Sequence, residues 1–105
     1  MIRYYVEITV QLPGIDADLA EALFAPLADA TYELADVIDP DLGARFEEGE
    51  FDFVMAIDAE DELAALTAGL AAVRLAIHTV GGATPGWEGH FETIQQIIRR
   101  EPSLT

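Results

Sequence analysis

The side chains best placed to move a proton near neutral pH are two histidines, His78 and His90. A base of this kind works on a nucleophile or with an orienting acid, and neither has a recognisable setting here. Ser103 is the one serine and lies near the end of the sequence, where frayed chain does not hold a triad. Cysteine is absent, which removes disulfides, thiolate metal sites and cysteine nucleophiles. His78 falls in the last turn of an expected helix, where a cation complements the negative dipole end. His90, with Glu88 and Glu92 beside it, carries donor types that suit a metal, but the short stretch lacks a full ligand set. No catalytic residue, metal ligand or cofactor is assigned, and the balance is against an enzyme.

Carboxylates are the other chemically active class. Asp36, Asp39 and Asp41 precede Gly43, while Glu47, Glu48, Glu50 and Asp52 surround Gly49. Hard cations take several converging carboxylates. An EF-hand loop, however, needs acids at alternating positions, glycine at the sixth and glutamate at the twelfth, and this segment lacks that register. The most distinctive loop runs Gly81-Gly82-Ala83-Thr84-Pro85-Gly86-Trp87. It has no lysine and follows a helix instead of opening one, so it is not a phosphate loop. It reads as a helix stop with Trp87 closing the core edge, or as a partner-contacting loop anchored by Trp87.

The acid is concentrated. The 105 residues carry 20 acidic and 5 basic side chains, a formal net charge of −15. Sixteen of the acids and a single base, Arg45, lie between Gln11 and Glu62. Elsewhere Glu7, Glu88, Glu92 and Glu101 balance Arg3, Arg74, Arg99 and Arg100. Such a surface repels nucleic acid and anionic membrane, attracts basic partners and keeps the protein dispersed. At 51% hydrophobic residues the chain is nevertheless rich enough in apolar side chains to fold.

The elements that must hold these groups can be read from periodicity. Ile2, Tyr4, Val6, Ile8, Val10 and Leu12 alternate with Arg3, Tyr5, Glu7, Thr9 and Gln11, a half-buried strand ended by Pro13-Gly14. Asp16 is the expected N-cap of a first helix with Leu19, Leu23 and Leu27 on one face, and Pro26 is expected to kink or divide it. Residues 31–38 fit either more helix or extended chain, and Asp39 to Gly43 reads as a turn. Ala44 to Glu47 and a strand with Phe51, Phe53, Met55 and Ile57 inward form the expected hairpin, tightly turned at Glu48-Gly49. Asp58 is the expected cap of a long helix over 59–80, with Leu63, Leu66, Leu70, Val73, Ile77 and Val80 as its seam. Its other side is mostly alanine with Gly69 and Leu75, and needs a second cover from the first helix or another subunit. Residues 91–100 fit a strand or a helix, and topology favours the strand. The order is then βαββαβ, an α+β ferredoxin-like arrangement: an antiparallel four-stranded sheet with two helices on one face.

Two families sharing that topology offer functional analogies, and both fit poorly. RNA-recognition motifs stack bases on aromatics of the central strands. Here Phe51 and Phe53 face the core, the opposite face offers Tyr5, Asp52 and Val54, and lysine is absent. Acylphosphatases rely on an arginine in the loop after the first strand, and Leu12-Pro13-Gly14-Ile15 has none.

The expectation is therefore one domain over residues 1–105, soluble and cytoplasmic. Its longest uncharged apolar run, Leu63 to Val73, is 11 residues, too short to span a bilayer. The leading function is an acidic interaction module that binds or neutralises a basic protein, like an immunity protein, an inhibitor or a nucleic-acid mimic. Its expected contacts are Asp36, Asp39, Asp41, Glu47, Glu48, Glu50 and Trp87. The alternative is a small-molecule, metal-binding or enzymatic domain with a pocket near Trp87, His78 and His90. A homo-oligomer through helix 59–80 or the open sheet face is a third possibility.

Overall fold

The structure is a computed structural model that describes residues 1–12, 16–81 and 92–100. In chain order it contains β1 (Ile2–Gln11), α1 (Ala17–Tyr32), β2 (Ile38–Arg45), a 3-10 turn (Phe46–Glu48), β3 (Glu50–Ala59), α2 (Glu62–Gly81) and β4 (Glu92–Arg100). The strands form one open antiparallel sheet in the order β2-β3-β1-β4. The fold class is α+β, as expected, and β2 and β4 are the edges.

Alternation decides the sheet's two faces. Val6 pairs with Met55, Ile8 with Phe53 and Val10 with Phe51, and all six side chains are buried. The other face carries Arg3, Tyr5, Glu7 and Thr9 of β1 against Asp58, Ala56, Val54 and Asp52 of β3. Helix α2 lies against the apolar face: a Cβ built on Gly69 would meet Val6 Cγ1 at 3.0 Å, Ile8 Cδ1 at 3.3 Å and Ile57 Cδ1 at 3.5 Å. Glycine is what lets this helix approach so closely. Gly69 therefore belongs to the packed side of α2 and not to its alanine side. Helix α1 packs against α2 and β2, with Leu27, Ala28 and Thr31 buried.

Several local expectations change. Pro26 lies in the interior of α1 without dividing it. The leucine ridge of α1 precesses out of the core, so Leu27 is buried while Leu19 is 49% exposed. The stretch Asp39 to Gly43 is strand, part of β2, with a register shift between Ile38 and Asp41 and a left-handed Asp39 (φ 48°) next to Pro40. An edge strand tolerates proline and a bulge because one side of its backbone needs no partner strand. The hairpin connection is consequently longer, running through the 3-10 turn to a left-handed Gly49 (φ 66°). Asp58 stays in β3 and its carboxylate binds Arg3 at 2.9 and 3.1 Å. Asp61 caps α2 instead, accepting the Ala64 N–H at 2.8 Å. Leu63, expected in the seam, is 73% exposed.

The stretch Glu62–Val80 has a mean hydropathy of 1.6, so by length and composition it could cross a membrane, unlike the shorter run that the sequence suggested. It is also the helix laid on the sheet through Ala65, Gly69, Val73, Ala76 and Ile77.

Candidate functional site

The expected acidic contacts follow strand β2 and its two flanks. Asp36 is exposed in the turn after α1, and Asp39 and Asp41 are exposed on β2 itself. Glu47 and Glu48 are exposed in the 3-10 turn, and Glu50 opens β3 with its side chain 15% exposed. Eight strand residues at about 3.3 Å each put roughly 26 Å between the two flanks. The five exposed carboxylates thus form a stripe along one sheet edge and its flanks, with Asp36, Asp39 and Asp41 towards the start of β2 and Glu47 and Glu48 at its end, while Glu50 is largely buried on β3. Leu12 N–H donates to the Gly49 carbonyl at 3.0 Å, so the chain leaves β1 for α1 at that second end.

Each end has its own electrostatics. At the first, Asp41 accepts the Tyr32 hydroxyl and its neighbour's Leu42 N–H, both at 2.9 Å. The bond and charge of Asp41 raise the Tyr32 phenol above its ordinary value. At the second, Arg45 is gripped by three carboxylates: Glu48 at 3.2 Å, Glu50 at 3.0 Å and Asp52 at 2.6 Å. Burial alone would raise Asp52, but hydrogen bonds from Arg45 and from Thr9 Oγ1 (2.6 Å) outweigh it and hold the carboxyl below its ordinary value. Glu48 and Glu50 share one environment, so Glu48 is raised by its bond to Glu50 while Glu50 is lowered by Glu48 and Arg45.

The sequence already marked Arg45 as the sole base in the acidic half. The part played by Thr9, Asp52 and Tyr32 was hidden, because it depends on register. Thr9 stands opposite Asp52 across strands far apart in the chain, and Arg45 stands opposite Glu50 across the β2–β3 hairpin.

His78 is exposed in the last turn of α2. Trp87 and His90 lie outside the described residues, so the alternative pocket around Trp87, His78 and His90 gains no geometry. Among the described residues no three His, Asp or Glu side chains converge as a metal site. Shallow grooves are present among the described residues, and one of about 290 Å³ lies between Pro26, Asp29, Glu33, Thr79 and Val80. A second, of about 240 Å³, lies on the open sheet face between Tyr5, Glu7, Val54, Ile97 and Arg99. Another of about 210 Å³ lies between the turn at 34–37 and α2. Compared with protein families, curated proteins and solved structures, the chain matches none of them.

Proposed function

We propose that this chain is an acidic protein-interaction module that binds, and by binding neutralises, a basic protein partner, as an immunity protein, an inhibitor or a nucleic-acid mimic does. The observation that supports it is the stripe of exposed carboxylates along β2. Its counter-charge, Arg45, is 46% exposed and already held by Glu48, Glu50 and Asp52. The outer carboxylates are thus left to set the field at that edge, which raises the encounter rate of a cationic surface. Pro40 and the register shift in β2 blunt the edge against strand pairing, so recognition there goes through side chains and not through a shared sheet. We place this module on a ferredoxin-like frame with both helices on one face, working in the cytoplasm. The strand order and the contacts of α2 with β1 and β3, and of α1 with β2, support that frame.

The test is capture from the source lysate at low ionic strength and again at roughly 0.5 M salt, where screening confines exposed charge to a few ångströms. One stoichiometric basic partner, released by salt and rebinding when purified, is the expected result. The triple variant Asp36→Lys, Glu47→Lys, Glu48→Lys should weaken that complex at least tenfold and flatten its salt dependence. Unchanged affinity and unchanged salt dependence would refute the reading, and capture of many weak basic proteins would reduce the charge to a solubility device.

A further inference from the structure

Helix α2 presents an apolar face that nothing among the described residues covers. Its mean hydropathy is 1.6 over Glu62–Val80, yet 28% of that stretch is buried. Leu63 is 73% exposed and Leu75 57% exposed, with exposed Thr67 and Ala71 between them at four-residue steps. Side chains four apart form one ridge, and ridges of this kind interdigitate in the commonest helix–helix crossing. Beside the ridge runs the 210 Å³ groove, walled by Leu34, Val37, Ala68, Ala71, Ala72 and Leu75, with Asp36 at its rim.

The arrangement is symmetric about the level of Gly69. Leu63 and Leu75 stand equally far from it, as do Thr67 and Ala71, and as do Glu60 and His78. One end of the helix is acidic, with Glu60, Asp61 and Glu62 exposed, and the other carries exposed Arg74 and His78. An antiparallel pair related by a two-fold axis at Gly69 would set Leu63 of each copy into the groove beside Leu75 of the other. It would also set each acidic end against the partner's Arg74 and His78, and oppose the two helix dipoles. Between its ends the ridge carries no charge, so two chains of net charge −15 can meet there with little like-charge apposition at the centre.

We propose that α2 is a homodimer interface: a second copy of this chain packs antiparallel on the Leu63–Thr67–Ala71–Leu75 ridge. The ridge spans about 18 Å at 1.5 Å per residue. With its groove it offers on the order of 500 Å² per copy, in the range of weak, transient interfaces, so a reversible, concentration-dependent dimer is expected. The surface is distinct from the acidic stripe on β2, and salt separates the two. Screening weakens a complex with a basic partner, but it strengthens this dimer, because repulsion between two like-charged chains outweighs the pairs at the helix ends.

Sedimentation velocity on the full chain across roughly a hundredfold range of concentration reads the outcome. The expected result is a reversible shift towards twice the 11.4 kDa chain mass, tighter at high salt. Leu63→Asp and Leu75→Asp should each weaken it at least tenfold. Both side chains are largely exposed, so an unchanged unfolding midpoint at low concentration would verify that the variants fold. Arg74→Glu, which sets a carboxylate against the partner's acidic end, should weaken the dimer several-fold. A strict monomer would overturn the proposal. So would a dimer indifferent to Leu63 and Leu75 but lost in Val54→Asp, which would move the contact to the open sheet face. Flotation of the wild-type chain with neutral phosphatidylcholine vesicles, abolished by Leu63→Asp, would overturn it in favour of a lipid surface.

Discussion

Replacing Arg45 by glutamine removes the one base of the acidic half and leaves Asp52 between Thr9 and its own like-charged neighbours. The Asp52 carboxylate is 18% exposed and takes two hydrogen bonds from Arg45, at 2.6 and 3.2 Å. A bond to a charged group contributes about 1.5–3 kcal/mol when well buried. Arg45 itself is 46% exposed, so solvent screening brings the expectation for this pair down to about 1–2 kcal/mol at neutral pH. The sign with pH follows from Asp52, whose carboxyl is held low in the folded state. Its contribution is complete above the unfolded value near 3.9 and disappears as pH falls through the lower folded value. Glu50 shifts in the same direction, while Glu48, raised by its bond to Glu50, contributes with the opposite sign. Urea unfolding of wild type and Arg45→Gln at pH 7, and again near pH 2.5, gives the difference directly, because the remaining carboxylates largely cancel between the two proteins. The wild type should be more stable by about 1–2 kcal/mol at pH 7, and the difference should shrink in acid. An equal difference at both pH values would refute the electrostatic argument and leave packing of the arginine stem as the cause.

Other expectations test the frame that carries the edge. Gly69→Ala gains about 1 kcal/mol of helix propensity but forces a methyl to within 3.0 Å of the buried, stiff Val6, so a net loss of about 1 kcal/mol is expected. In a Val6→Ala background the same change should become neutral or stabilising, and chemical denaturation of the four proteins measures the coupling. Asp61→Ala should cost about 1 kcal/mol as a lost helix cap, whereas Asp58→Ala should change the midpoint far less; the reverse order would return the cap to Asp58. Phe53→Ala empties a fully buried position and should cost about 3–5 kcal/mol, read as a lowered urea midpoint.

The strands of the centre were legible because burial on one side writes a period of two into the sequence. Phe51, Phe53, Met55 and Ile57 could face only one way, and they are buried as that period requires. The N-cap at Asp16 was equally plain, and its side chain accepts the Leu19 N–H at 2.8 Å. The edge was not legible. β2 contains Asp39, Pro40 and Gly43, residues that argue for a turn on propensity, and its pairing with β3 overrides them. The acidic stripe was partly legible, since its members were named from composition, but the sequence offered a cluster where the fold makes a line. Along α2 the sequence showed two apolar sides and no means of ranking them. A glycine chose, because only at Gly69 can the helix backbone come down onto Val6 and Ile8. That contact turned Leu63 and Leu75 to the outside. What the sequence alone determined, then, is whatever one chain segment enforces locally: alternation, caps, and the count and sign of charge. That Thr9 reaches Asp52 and which face of α2 stays uncovered were decided by tertiary structure, because register and helix rotation depend on contacts between segments far apart in the chain.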